Sequence, residues 1–170
     1  MKYMIMNTEM TKATSGGYKT QIRKAITNFF DLSLDEPKKH PISFKDMPKD
    51  LEFKSFQGFG NPCPMFYSKK QDKHYCSNEI KYNTGEKVLV EMSEILLIII
   101  GVRVEKLKDM SIYDIIKEGC PKQYYDGCIG TKKDTVEWWI ELWDRDKAIT
   151  DYKWNNNPFV IVYEFKKYLK

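Results

Sequence analysis

Residues 94–105 restrict the possible folds more than any other stretch. Ile95-Leu96-Leu97-Ile98-Ile99-Ile100 is an unbroken apolar run, far shorter than the roughly 20 residues that a membrane-spanning helix requires. Val102 and Val104 then alternate with Arg103 and Glu105, the period of a strand with one buried face. The whole stretch reads as one long strand, its first half buried on both faces. Its chain must therefore supply cover on two sides, and at 170 residues one domain can bury roughly two thirds of its unfolded surface.

The rest of the chain supplies that cover. Residues 3–6 read as a short strand, and Thr8 can cap a helix with Met10 and Ala13 on its apolar face. Gly16 and Gly17 end that helix, and residues 18–22 read as a strand with Lys19 and Gln21 on one face and Tyr18, Thr20 and Ile22 on the other. Residues 87–92 read as a further strand. Ser111 caps a helix with Asp114 three residues on, and Gly119 ends it with Glu118 in the last turn. Val136, Trp139, Ile140 and Trp143 give residues 134–144 an amphipathic helical period. After the turn at Trp154-Asn155-Asn156-Asn157-Pro158, a last strand over 159–165 carries Phe159, Ile161, Tyr163 and Phe165 on one face.

Residues 27–83 differ in character. Pro37, Pro41, Pro48, Pro62 and Pro64, five of the seven prolines, fall there, and aromatics alternate with lysines. Two short strands, at 51–54 and 65–67, are joined by a turn at Gly58 and Gly60. The segment reads as a loop-rich insertion within a single domain spanning 1–170. The fold class is α+β, a small mixed β-barrel with flanking helices.

Composition excludes little beyond disorder, since 42% hydrophobic and 31% charged residues can build a core. A net charge of +4 permits nucleic-acid contact, although solubility alone accounts for it. The start, Met1 to Met6, is apolar only briefly, so the expected location is the cytoplasm, with reduced thiols and no membrane contact. Cys63, His74 and Cys76 are a weak candidate zinc set, because paired C-x2-C knuckles are missing. Cys120 and Cys128 lie seven residues apart with the same deficiency, and His40 reads as exposed. No metal or other cofactor is expected.

Two sets of polar residues stand out. Glu118 lies at a helix C-terminus, where the dipole disfavours an acid; it is either a solvated surface residue or a carboxylate held near a pocket by a cation such as Lys19. Lys19, Thr20, Gln21 and Arg23 follow the double glycine and can donate to a base, a carbonyl or a phosphate; the plainer reading is a solvated strand face. Trp139 and Trp143 read as core. Trp138 and Trp154 are less constrained and can serve base stacking.

Three blocks resemble the ASCH domain family of the PUA-like superfamily, in particular its phage and prophage members. The first is Asn7-Thr8-Glu9-Met10 leading to Gly17-Tyr18-Lys19-Thr20-Gln21-Ile22-Arg23-Lys24, similar to the phage pattern G-R-K-T-Q-T-R-R. The second is Gly85-Glu86-Lys87-Val88-Leu89-Val90, with Val102 to Met110 running into Ile115-Ile116-Lys117-Glu118-Gly119. The third is Leu142-Trp143-Asp144 with the ending Trp154-Asn155-Asn156-Asn157-Pro158-Phe159-Val160-Ile161-Val162-Tyr163-Glu164-Phe165. The likeness leaves residues 25–83 uncovered.

The resemblance implies a PUA-like barrel with a cleft for RNA, a nucleotide or a modified nucleoside, contacted by Tyr18, Lys19, Gln21, Arg23 and Glu118. Some bacterial members hydrolyse N4-acetylcytidine, which carries catalytic roles over to Lys19, Thr20 and Glu118. Three positions depart from the pattern. Ile22 stands where a second threonine is usual, Tyr18 replaces an arginine, and Val90-Glu91-Met92 stands for V-R-E. The loss of a hydroxyl at Ile22 ranks binding ahead of amide hydrolysis. A third reading is a phage counter-defence or morphogenesis protein that meets a host protein through residues 27–83.

Overall fold

The computed structural model describes residues 1–34, 41–58, 62–126, 130–147 and 150–168. The expectations for Pro37, His40, Gly60 and Cys128 lie outside them. In chain order the strands are β1 (Lys2–Met4), β2 (Gln21–Ala25), β3 (Phe29–Asp31), β4 (Pro41–Ile42), β5 (Leu51–Gln57), β6 (Cys63–Ser68), β7 (Lys73–Cys76), β8 (Lys87–Val90), β9 (Leu96–Lys106) and β10 (Phe159–Lys167). The helices are α1 (Thr8–Ser15), α2 (Ile112–Lys117) and α3 (Lys132–Asp146).

The fold is mixed α+β with two five-stranded sheets. The first has the order β1-β8-β9-β10-β2, the second β4-β3-β7-β6-β5. Among the described residues these pairings do not close into the small barrel expected from the sequence. Within the expected loop-rich insertion, residues 29–76 supply all five strands of the second sheet. The strands expected at 51–54 and 65–67 are β5 and β6, while β3, β4 and β7 span four residues or fewer; Pro41 opens β4 and Pro64 faces Phe56.

One apolar layer joins the sheets. Phe29, Leu51, Phe66 and Tyr75 of the second share a cluster with Ile22, Val88, Leu97, Ile99, Val104, Phe159 and Ile161 of the first. Phe66 is fully buried, edge-on to Phe29 at 5.0 Å between ring centroids and 4.8 Å from Phe159. Of the aromatics in residues 27–83 that motivated a protein-partner surface, Phe29, Phe30 and Phe66 are buried in the core, while Phe56 is exposed.

The other face of the first sheet meets the helices. Leu107, Ile115, Trp139, Leu142, Trp143, Val160 and Val162 form a second apolar cluster there. The tryptophans expected in the core, Trp139 and Trp143, are buried. Helix starts are set by side-chain caps. Asn7, rather than Thr8, caps α1 by accepting from the Met10 N–H at 2.8 Å. Ser111 and Asp114 form the expected capping box of α2. Thr131 and Asp134 form another on α3, so that helix begins two residues before the expected Asp134.

A single irregularity decides which face each residue of β9 presents. Opposite β10, the register shifts between Glu164 and Phe165, so that Glu164 faces Gly101 while Phe165 faces Ile99. Ile100 is the extra residue of this bulge and is 49% exposed, contrary to the expectation that residues 95–100 are buried on both faces. A one-residue shift exchanges the faces of everything beyond it. Leu97 and Ile99 face the inter-sheet core before the bulge, and Val102 and Val104 do so after it. Arg103 and Glu105 are thereby turned toward the helices.

Phe66→Ala is expected to lower unfolding stability by about 3–5 kcal/mol, the usual cost of emptying a phenylalanine site in a packed core. Urea denaturation checks this. A loss under about 1 kcal/mol would mean that the two sheets do not depend on this contact.

Candidate functional site

The chain between α1 and β2 is drawn into the structure from both sides. The N–H groups of Tyr18 and Lys19 both donate to the Ala13 carbonyl, at 2.9 and 3.1 Å. The Thr20 N–H donates to the Lys117 carbonyl at 2.8 Å, and the Thr20 carbonyl accepts from the Phe165 N–H at 2.9 Å. Lys19 and Glu118 form an isolated antiparallel bridge. The strand expected over 18–22 is therefore β2 at 21–25, preceded by this bridge.

Close approach at the bridge requires glycine. Gly119 has φ +98°, and a Cβ there would lie 3.2 Å from Ala13 Cβ and 3.3 Å from Lys19 Cβ. Gly16 does the same for Tyr18, whose ring would sit 2.7 Å from a Cβ at that position.

The bridge brings Lys19 and Glu118 together although 99 positions separate them. Lys19 Nζ donates to Glu118 Oε2 at 2.7 Å and to the Glu118 carbonyl at 2.8 Å. Arg23 donates through one terminal nitrogen to Glu118 Oε1 at 2.7 Å, and through the other to Glu105 Oε1 at 2.7 Å. Lys19, Gln21, Arg23 and Glu118 are all at most 4% exposed. The solvated reading of Glu118, and that of the 19–23 strand face, are both corrected.

Residues that the sequence did not single out complete the cluster. Arg103 donates to Glu105 at 2.9 Å and to Asp114 Oδ1 at 2.8 Å, and it also pairs with Glu164. Gln21 donates to the Asp114 carbonyl at 2.8 Å, leaving its own Oε1 without a hydrogen bond among the described residues. Three cations thus meet four carboxylates, grading from the buried Lys19–Glu118–Arg23 centre to the partly exposed Arg103–Glu164 edge. Burial raises the Asp114 carboxyl, but hydrogen bonds from the Ser111 hydroxyl and N–H, then Arg23 and Gln21, outweigh it and hold the group well below the usual carboxylate range. Asp114 was legible only as a helix cap; one oxygen caps Ser111 while the other serves the cluster.

Two cavities meet at Glu118. The first, about 530 Å³, is lined by Glu9, Met10, Tyr18, Lys122, Gln123, Tyr124, Tyr125 and Trp138 among others, and its size suits a small ligand. Tyr18 is 61% exposed, and Trp138 lies 6.2 Å from Tyr124 between ring centroids. Cys120 is on the same wall, its thiol pushed up to about 12 by burial, so it offers no thiolate at neutral pH. The second cavity, about 240 Å³, is lined by Ile5, Asn7, Arg23, Lys24, Trp143 and Lys147 among others. Thr20 lines neither of the two.

The weak zinc candidate does not assemble. Cys63 donates its thiol to the Ser77 carbonyl at 2.8 Å, and exposed His74 packs against Tyr67 at 4.9 Å. Among the described residues no group of three or more such side chains could hold a metal ion. No described helix is long and apolar enough to cross a membrane.

No protein-family model and no curated protein matches the chain. Two solved structures are similar to it in shape. One is the hypothetical protein PH0355, 14% identical, with 99% of this chain and 100% of that one covered and a TM-score of 0.45. The other is the ASCH domain from Lactobacillus crispatus JV V101, 10% identical, with 98% of this chain and 79% of that one covered and a TM-score of 0.48.

Glu118→Gln is expected to destabilise the protein by about 3–5 kcal/mol, because it leaves two buried cations short of a counter-charge. In urea denaturation, Lys19→Met combined with Glu118→Leu should cost less than the sum of the two single changes; additive losses would refute the coupling. Asp114→Asn tests the pH linkage. A carboxylate with a depressed folded pKa stabilises above its unfolded value of about 3.9, and that effect fades as pH falls below it. The stability gap between the parent and Asp114→Asn should therefore be widest near neutral pH and narrow progressively as pH falls below about 4; a gap that widens in acid contradicts the assignment.

Proposed function

We propose that this chain is an ASCH-type domain that binds RNA, a nucleotide or a modified nucleoside, with the base in the cavity beside Glu118. The carrying observation is that this cavity is walled by Tyr18, Tyr124, Tyr125 and Trp138 and borders Glu118, whose buried carboxylate is held by two cations. Aromatic faces stack on any base. Each Glu118 oxygen accepts one hydrogen bond from Lys19 or Arg23, which leaves acceptor capacity for an exocyclic amine. In this reading Tyr18 and Glu118 meet the ligand, while Lys19, Gln21 and Arg23 hold Glu118 and α2 in position.

The three sequence blocks support the family assignment and an origin in a phage or prophage, with action in the bacterial cytoplasm. The first sheet and its helices correspond in this reading to the PUA-like unit, and the second sheet to an elaboration of it. Hydrolysis of an acylated cytosine has less support. Lys19 is held in an ion pair, Ile22 is packed in the inter-sheet core, and the Thr20 hydroxyl is outside both cavities that reach Glu118. A host-protein partner at residues 27–83 has less support, since Phe29, Phe30 and Phe66 lie in the core while Phe56 stays exposed.

Calorimetric titration with nucleosides, N4-acetylcytidine among them, tests the binding reading. At least one should bind, and Tyr18→Ala should weaken it roughly tenfold, the scale of one lost stacking contact. No binding by any nucleoside or nucleotide, or binding indifferent to both Tyr18→Ala and Gln123→Ala, would overturn it. Acetate release from N4-acetylcytidine would move hydrolysis to first place.

A further inference from the structure

The two cavities at Glu118 belong to a longer line. The first and second share Met10, Glu118 and Leu142. The second shares Ile5 and Lys24 with a third of about 240 Å³, which is lined by Tyr3, Glu79, Lys81, Tyr82 and Tyr163 among others. The three follow one another where β1, α1, β2 and the end of α3 meet.

Charge changes along this line. The aromatic first cavity has Lys122 against Glu9 and Glu118. In the second, Arg23 is committed to Glu105 and Glu118, which leaves Lys24 and Lys147 facing Asp146. In the third, Lys24 and Lys81 face Glu79, whose carboxylate already accepts from Thr27 and Asn28. Among the described residues Lys24, Lys81 and Lys147 form no ion pair. Desolvation by the cavity walls, then Lys147, Lys19 and Lys81, lower the pKa of the Lys24 ammonium, with Glu118 opposing them, although the side chain keeps an exposed face. Cations that outnumber the nearby carboxylates and form no direct ion pair with them favour a bound anion.

We infer that Lys24, Lys147 and Lys81 form a phosphate track for a single-stranded nucleic acid whose base enters the first cavity. The inference rests on the nucleobase reading of that cavity and extends it from one nucleoside to a strand. Cations that follow a backbone, with aromatic faces for the bases, are the usual construction of a single-strand site. Tyr3, 56% exposed, stands in the third cavity with Lys81 and offers a second face. An acidic peptide would use the lysines but has no need of the aromatic cavity that continues them.

The experiment uses the whole chain and three probes: a short labelled single-stranded RNA of mixed sequence, the free nucleosides, and a short labelled polyglutamate peptide. The RNA should bind more tightly than any nucleoside, with an affinity that falls as salt rises. Lys24→Gln combined with Lys147→Gln should weaken RNA binding about tenfold or more and leave nucleoside affinity unchanged. It should also flatten the slope of log affinity against log salt by about 0.7 for each lysine removed. Lys24→Arg, which keeps the charge, should keep the slope. If nucleosides bind but RNA binds no tighter, or the slope survives the double change, the track is wrong while the nucleobase cavity stands. Polyglutamate binding as tight as RNA, with the same lysine dependence, would replace the nucleic acid by an acidic peptide. Failure of both RNA and nucleosides to bind would remove both readings.

Discussion

Glu118 accepts Lys19 on one carboxylate oxygen and Arg23 on the other, with all three side chains out of water. Burying charges is costly unless each is paired and hydrogen-bonded. This arrangement meets the condition because the Glu118 carbonyl also accepts from Lys19, and Arg23 spreads its fork over Glu105 as well. The pairing fixes where α2 ends, how β2 enters the sheet, and how closely α1 can approach. Gly119 is the backbone counterpart of the same constraint.

The cluster depends on the sheet beneath it. Arg23 faces Val162 across β2 and β10, and Val162 faces Arg103 across β10 and β9. The two arginines therefore lie in one row beneath α2, but only because the bulge at Ile100 shifts the phase of β9. Without the shift Arg103 and Glu105 would face the apolar layer between the sheets. That layer, closed by Phe29, Phe66 and Phe159, could not accommodate them without unpaired charge. Core packing and polar cluster thus impose the same register.

The site has the same division. Its charges are buried, while the wall of the cavity beside Glu118 is aromatic and more exposed, from Tyr18 to Trp138. A rigid carboxylate behind a stacking wall is suited to recognition of a planar, amine-bearing ring, and the lysines beyond it to an attached phosphate.

Sequence by itself determined the elements whose signals are local. The alternation of Phe159 to Phe165, the Ser111–Asp114 capping box, the Gly16-Gly17 stop and the Trp139–Trp143 stripe are set by neighbours a few residues apart, and the family likeness pointed to Lys19 and Glu118. Tertiary structure decided the rest. Strands β3, β4 and β7 of the second sheet are too short to show a period, the pairing that joins them to β5 and β6 is non-local, and the bulge at Ile100 shows only against β10. Asp114 gains its second role from Arg103 and Gln21, which approach from other strands. Charge pairs across 82 to 99 positions leave no periodic trace in a chain, because their partners are selected by the fold rather than by spacing.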